Sequence, residues 1–500
     1  MDINSPLSSS IDLLKKGKYK LARKTLSKLL KSNPVDPHAL HLLGIALHHS
    51  GNSSEAIIKI KHAIKLLPNA HGFYTNLGNI YKDNGNLDEA IDCYKSAINL
   101  NANNAAAYHN LGDAYKESGK TKEAIETLEK ALSINPDFAE GLNSLGLVYS
   151  QLNDFQSAVN YYQKALSIMS NSPEILYNLG SVYIKLKQYN LAIEHLQHAL
   201  ILRPDYSDAH NNLGSAYRSI DNFDKSVKAY QQAIKYQPDN LEALCNYGTA
   251  LHAVKNYDEA VNTFKKVLKL EPNNSLANHL IAACNKTTTT QPPDGYVSNL
   301  FDEFAETFEQ NLTEKLEYNT PTALKDNLIS VAGNSYYAEN TIDLGCGTGL
   351  SGLAFKDVTR ALTGVDISNA MIDQAREKNI YDNLHVSGVN EFLITAEDNT
   401  YDLLISSDVF VYFGDLSDAF NIVSSKGTPG AYFLFSTETL EDSDKEYELR
   451  STGRYAHSVE YIKQLALKYN FYIKKIRHIN LRKNYDSWIE GDLYVMQLEK

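Results

Sequence analysis

Seven glycines, Gly44, Gly78, Gly112, Gly146, Gly180, Gly214 and Gly248, recur every 34 residues, most of them inside an Asn-Leu-Gly-x-x-Tyr phrase. A strict period of that length restricts this part of the chain to stacked copies of one helical unit, because no single copy can bury its apolar face alone. Twelve residues after each glycine stands a second small residue, Ala56, Ala90, Ala124, Ala158, Ala192, Ser226 or Ala260. Seven further on is a position that is Ala in six copies and Val267 in the last. Small residues at these places let two antiparallel helices approach closely, and tyrosines such as Tyr94, Tyr162 and Tyr230 fill the space beside them. Each copy is therefore predicted to be a helix hairpin, often closed by a proline, as at Pro68, Pro136, Pro204, Pro238 and Pro272.

Over roughly residues 3 to 274 this pattern resembles the tetratricopeptide repeat (TPR), in about eight copies. The first copy has Ser10 in place of the glycine but keeps Ala22, Leu26, Leu29 and Pro34 in phase, as a capping repeat would. Ser275–Cys284 is predicted to add a helix that covers the last repeat, and Asn285–Gly295, with four threonines and two prolines, reads as a linker. The expected organisation is a solenoid over residues 1–287 and a second domain over residues 288–500.

Charge separates the two parts. Lys and Arg minus Asp and Glu come to about +3 over residues 1–290 and about −15 over 291–500, which together give the chain's −12. That balance argues against nonspecific nucleic-acid binding, which needs clustered cations. The four cysteines show no paired spacing, so neither a disulfide framework nor a metal site is expected. With no run of about 20 apolar residues and no apolar signal-like opening, the expectation is a cytoplasmic protein without a membrane partner.

After the linker, Phe301, Phe304, Phe308, Leu312 and Leu316 fall at helical spacing, and a further helix starts near Pro321. From Asn340 short apolar strands alternate with helices, which predicts a doubly wound parallel sheet with helices on both faces. Thr341–Leu344, Leu362–Asp366, Asp402–Ser406 and Ala431–Ser436 are the clearest strands, and Phe471–Leu481 with Leu493–Leu498 should form an antiparallel hairpin at one edge.

The chemistry concentrates where the first strand ends, in Asp343-Leu-Gly345-Cys-Gly347-Thr-Gly349. Alternate glycines let the backbone turn and approach a ligand, and Asp366, 23 residues on, stands at the second strand's end where a carboxylate can take a ribose. Gly347-x-Gly349-x-x-Gly352 also fits a dinucleotide fingerprint, so a nicotinamide or flavin enzyme is a competing reading. Asp343 ahead of the glycines favours a cationic ligand over a pyrophosphate.

This constellation resembles class I S-adenosylmethionine-dependent methyltransferases over about residues 296 to 500. More closely, it resembles the predicted methyltransferases that carry tetratricopeptide repeats, in Phe301-Asp-Glu-Phe-Ala305, in Asp408-Val-Phe-Val-Tyr412-Phe-Gly414-Asp-Leu416, in Gly453-Arg-Tyr-Ala-His457-Ser458 and in Arg482. The resemblance implies an all-α solenoid followed by a Rossmann-like, seven-stranded α/β sheet. It implies S-adenosyl-L-methionine as cofactor, its methionine part on Asp343, Gly345, Gly347 and Gly349, its ribose on Asp366, and its adenine against Ile367, Met371, Gly388 and Val389. Ser387-Gly-Val-Asn390 stands where many relatives place an acid near the adenine. If the acceptor must lose a proton, Asp408, Tyr412 and His457 are the candidate catalytic groups. The phenylalanine-rich helix would be a lid, and Arg482 and Trp488 would brace the terminal hairpin.

Two residues before the period's glycine stand Asn76, Asn110, Asn178, Asn212 and Asn246. On helices lining a groove such amides could hold the backbone of an extended peptide, resembling the asparagine ladder in the repeats of O-linked N-acetylglucosamine transferase. His41, His48, His49, His109 and His252 fall near the same face and read as polar lining rather than metal ligands. The expected function is a methyltransferase whose repeats recruit a protein substrate or adaptor. The alternative is an interaction scaffold whose terminal domain binds S-adenosylmethionine without turnover.

Overall fold

The structure, a computed structural model, describes residues 6–293, 295–310, 312, 317–441, 444–484 and 487–499. Leu316 and the side chains of Glu303 and Phe304, named above, lie outside the described residues. The chain divides into two compact units, Met1–Pro238 and Asp239–Lys500. The change in sequence character near residue 287 and the change in packing therefore fall at different places, because the eighth hairpin and the helix after it belong to the second unit.

Helices α1 (Pro6–Lys15) through α16 (Tyr257–Leu270) pair consecutively into hairpins. The period has a direct steric reason. A Cβ built on any of the seven glycines would come closer than 3.0 Å to the side chain sixteen residues on, which is Ile60, Tyr94, Leu128, Tyr162, Leu196, Tyr230 or Phe264. Those partners are themselves buried, so the close crossing and the filled space are one feature. In the first copy Ser10 is buried at the equivalent place and turns its hydroxyl back to the Pro6 carbonyl (2.7 Å).

In the second unit the hairpin of α15 (Leu241–Ala253) and α16 is followed by α17 (Ser275–Cys284), α18 (Tyr296–Gln310) and α19 (Thr320–Ala332). The sheet comprises β1 (Ala338–Leu344), β2 (Thr359–Asp366), β3 (Asn383–Val386), β4 (Tyr401–Ser406), β5 (Gly427–Thr439), β6 (Tyr447–Leu449), β7 (Tyr455–His457), β8 (Phe471–Asn484) and β9 (Ser487–Leu498). Strands β3, β2, β1, β4 and β5 run parallel in that order, and β9 adds antiparallel to β5 with β8 beyond it. These are the seven expected strands. Two short ones are additional: β7 pairs with the end of β5 and β6 pairs with β7, making nine among the described residues.

Successive side chains of β5 point to opposite faces. Phe433 and Phe435 join Tyr494 and Met496 in one core with α23 (Ser417–Lys426) and α24 (Val459–Lys468), while Leu434 joins Leu493 and Val495 in another with α19. Helices thus cover both faces, and the carboxyl ends of β1, β2, β3 and β4 open on the same edge. In such sheets that edge is the place for a ligand.

Candidate active site

A cavity of about 340 Å³ lies at that edge, a volume typical of small-molecule sites. It brings together Gly345, Gly347, Asp366, Ile367, Met371, Gly388, Val389, Asp408 and Tyr412 from four strand ends. Asp343, Gly349 and His457 are not among the residues that line it.

The loop after β1 turns through three left-handed glycines, Gly345 (φ 74°), Gly347 (φ 53°) and Gly349 (φ 94°). A Cβ on Gly345 would collide with Val409, whereas one on Gly347 would meet only Phe308, 3.9 Å away. Gly347 is therefore open toward the cavity, and its N–H donates to Asp366 Oδ2 (2.8 Å). Asp366 Oδ1 accepts from Ser368 N (2.9 Å), which leaves lone pairs on a carboxylate that lines the cavity. Burial holds that carboxyl above its usual range.

Asp343 corrects the motif reading. It is wholly buried beneath the loop, and its Oδ2 accepts from the Tyr381 hydroxyl (2.6 Å). Oδ1 has no hydrogen-bond partner, and burial raises its pKa to about 7. Tyr381 also accepts from Gly352 N (3.1 Å), and a Cβ on Gly349, Gly352 or Gly364 would come within 3.2 Å of its ring or hydroxyl. Part of the glycine spacing thus makes room for a tyrosine that no motif names.

His457 is the second correction. It is fully buried, its Nε2 is hydrogen-bonded to the Gly414 carbonyl (2.9 Å), and burial lowers its pKa to about 4. It is a neutral packing group against Tyr461, not a base facing the cavity.

Asp408 does face the cavity, in the left-handed region (φ 57°) at the exit of β4. Its N–H donates to Ser436 Oγ and that hydroxyl donates to its Oδ1, each at 2.8 Å. Arg482 donates to Asp408 Oδ2 (2.8 Å) and to Glu438 Oε1 (2.5 Å), and Arg450 pairs with Glu438 at 3.5 Å. Arg482, read as a hairpin brace, is thus a buried member of the site. A second cation, Arg454, lines the cavity 5.9 Å from the centre of the Tyr412 ring. Burial opposes its charge, but Tyr412, Glu438 and Asp408 more than offset that and the guanidinium stays protonated.

The roof comes from segments before the sheet. Val297, Phe301 and Phe308 of α18 line the cavity, with Phe301 edge-on to Tyr412 at 5.2 Å. Asp302 accepts from Ser368 Oγ (2.5 Å), tying α18 to the start of α21 (Asn369–Glu377). The supposed linker is part of the wall, through Gln291, Pro292, Pro293 and Gly295. It is pinned by main-chain bonds, since Gly414 N and Asp415 N both donate to the Thr290 carbonyl (3.0 and 2.9 Å). The turn carrying Arg454 is held from the repeat side: His252 Nε2 meets the Ser451 carbonyl at 2.6 Å and His279 Nε2 meets the Gly453 carbonyl at 2.8 Å. Among the described residues no group of His, Cys, Asp and Glu could hold a metal ion.

In the repeats the asparagine amides are already engaged. Asn76 Nδ2 meets His41 Nε2 (2.9 Å), Asn110 donates to Asn79 (3.0 Å), Asn178 to Asn143 (3.0 Å) and Asn212 to Ser181 (2.8 Å). Each bond crosses to the preceding copy and commits one of the two amide hydrogens, so the row is knitted to itself. Asn246 is likewise half-buried.

Residues 337–490 match the family described as Methyltransferase domain. Residues 9–71, 78–119, 207–240 and 241–274 match tetratricopeptide-repeat families, and 105–213 match the Tetratricopeptide repeat protein 21 C-terminal ARM domain. The malonyl-[acyl-carrier protein] O-methyltransferase of Serratia marcescens is 28% identical over 105 residues, 21% of this chain and 40% of that protein's length. Among solved structures, the APC/C hetero-tetramer Cut9-Hcn1 is 19% identical over 56% of this chain and 55% of the other, with a TM-score of 0.44. YrrB, a TPR protein with an unusual peptide-binding site, is 26% identical over 37% of this chain and 95% of its own, with a TM-score of 0.32. No described helix is long and apolar enough to cross a membrane.

Proposed function

For a chain that joins tetratricopeptide repeats to a methyltransferase domain, we propose methyl transfer from S-adenosylmethionine to an acceptor delivered by the repeats. The observation that carries the reading is the pairing of an open backbone corner at Gly345–Gly347 with the Asp366 carboxylate in one cavity. The residues fit such a cofactor: Asp366 retains acceptor capacity for ribose hydroxyls, Ile367 and Met371 offer apolar surface, and Gly388 and Val389 offer backbone groups beside it. When bound, the cofactor would supply a methyl group on an activated sulfonium. The chain's part is then alignment and exclusion of water, through the aromatic lining that Phe301, Phe308, Tyr412 and Phe413 give the cavity. Asp343 supports the corner through Tyr381 and does not itself line the cavity.

Heating the protein with S-adenosylhomocysteine tests the reading. The product should raise Tm and NAD or FAD should not; the opposite pattern would restore the dinucleotide reading. Recruitment by the repeats is tested by removing residues 1–238, which spares the hairpin and helix packed in the second unit. Methylation in cell extract should collapse while affinity for S-adenosylhomocysteine is kept; unchanged methylation would remove the recruiting role. The half-buried asparagines Asn76, Asn110, Asn178, Asn212 and Asn246 remain the proposed peptide contacts, through what their amides retain after the bonds between copies.

One observation favours the second reading, a scaffold that binds the cofactor without turnover. Of the candidate bases, Asp408 is bound by Arg482 and Ser436, and His457 is sealed in the core. Transfer of label from methyl-labelled cofactor to any component of an extract would decide against it.

A further inference from the structure

Strands β6 and β7 are additions to the seven-stranded sheet, and the turn between them brings Arg454 to the cavity. That turn closes itself, since Arg450 N donates to the Arg454 carbonyl (2.8 Å) and Gly453 N to the Arg450 carbonyl (2.9 Å). Two further bonds nevertheless reach it from the eighth hairpin and the helix after it, His252 to the Ser451 carbonyl and His279 to the Gly453 carbonyl. Each Nε2 meets a carbonyl, so each ring carries its proton on that nitrogen and donates. With the turn's shape already settled from within, these outside bonds fix where it lies. At Gly453 (φ 79°) three segments converge: an added Cβ would stand 3.3 Å from the Tyr296 hydroxyl, 3.5 Å from Leu280 and 3.6 Å from His279. Tyr296 opens the roof helix α18, its ring centre 4.1 Å from that of His279. On the cavity side Arg454 packs on Tyr412, and Tyr412 meets Phe301 of the same roof helix.

We infer that His252 and His279 are positioning residues for methyl transfer, holding the turn so that Arg454 stays against Tyr412 and the roof stays closed; the inference rests on the methyltransferase reading above. Neither histidine lines the cavity, so each acts through the main chain of the turn. The last repeat copy and its covering helix then have a second task beside recruitment. Without the two N–H donors the turn can shift as a unit, Arg454 leaves Tyr412, and alignment and exclusion of water are lost together. The Gly345–Gly347 corner and Asp366 make no bond to this turn and are left in place.

The test uses the full chain. Phenylglyoxal, which modifies accessible guanidinium groups, probes Arg454 by mass spectrometry with the buried Arg482 as internal reference. Binding of S-adenosylhomocysteine, and labelling of a cell extract from methyl-labelled S-adenosylmethionine, are measured alongside. His279→Phe keeps a ring and removes the donor, whereas His279→Gln keeps an N–H near the Nε2 position. In His279→Phe, Arg454 should react about tenfold faster with Arg482 unchanged. Labelling should fall about 10- to 100-fold, while S-adenosylhomocysteine affinity stays within about threefold. His279→Gln should restore most of the labelling and of the protection. His252→Phe should repeat the pattern through Ser451, and it carries the test if His279→Phe does not fold. Unchanged Arg454 reactivity or unchanged labelling in the Phe variants would overturn the inference. A Gln variant as impaired as the Phe variant would overturn it too, since the ring would then serve packing alone, as would absence of label from a parent chain that binds S-adenosylhomocysteine. Failure of the parent chain to bind S-adenosylhomocysteine would bring down the methyltransferase reading and this inference with it; binding that persists beside an unmoved Arg454 would bring down the inference alone.

Discussion

Glycine does opposite jobs in the two halves of this molecule. In the first unit Gly78, Gly146 and Gly214 lie inside helices and matter because they lack a side chain, so that Tyr94, Tyr162 and Tyr230 can cross at close range. In the second, Gly345, Gly347 and Gly349 matter because their backbone is left-handed. The polar groups diverge in the same way. Repeat asparagines bond to the neighbouring copy, 31 or 35 residues away, whereas Asp408, Glu438 and Arg482 form one network from three distant segments. Stability in the repeats is thus distributed, and in the α/β unit it is concentrated where the chemistry is expected.

The sharpest way to break that contrast is Arg482→Met, which leaves the buried Glu438 and the half-buried Asp408 without their shared cation. A loss of about 3–5 kcal/mol is expected, confined to the transition of residues 239–500 in urea unfolding; a loss below about 1 kcal/mol would mean the network is not concentrated there. Next is the pH response of Asp343. Its folded pKa, about 7, lies above the ordinary 3.8, so the folded state keeps the proton that the unfolded chain gives up. Stability is then greatest below pH 4 and falls as pH rises to 7. Wild type should lose up to about 4 kcal/mol relative to Asp343→Asn over that window. His457 acts with the opposite sign: its folded pKa is about 4 against 6.5, so its contribution is full above 6.5 and is lost on acidification toward 4. Comparing each variant with wild type separates two slopes that oppose one another in the parent.

Smaller effects belong to the repeats. Gly146→Ala should cost about 1–3 kcal/mol by thermal unfolding, because the added methyl would meet the Tyr162 ring at 2.5 Å. A loss below about 0.5 kcal/mol would show that the hairpin does not depend on this close crossing. Least of all, Asn178→Ala should cost about 1 kcal/mol, because Asn143 loses one donor.

The repeats were legible because every copy restates the same constraint, down to the bounds of the covering helix Ser275–Cys284. The strands followed from apolar runs, except β3, whose Asn-Leu-His-Val is largely exposed and carries no such run. Asp366 and the glycine corner were legible because backbone geometry demands particular residue types there. Tyr381 and the wall formed by Gln291–Pro293 were not. Their roles arise from tertiary placement, and the Thr290 carbonyl that anchors the linker is a main-chain group that no side-chain pattern records. His457 looked catalytic because histidine is versatile; only its burial shows otherwise.

Calorimetric titration of the full chain with S-adenosylhomocysteine, alongside Asp366→Ala, tests the central claim most directly. The account predicts one site per chain, weakened at least about tenfold in the variant through loss of a charge-assisted pair of hydrogen bonds. No binding by the parent chain, or equal binding by both, would contradict it.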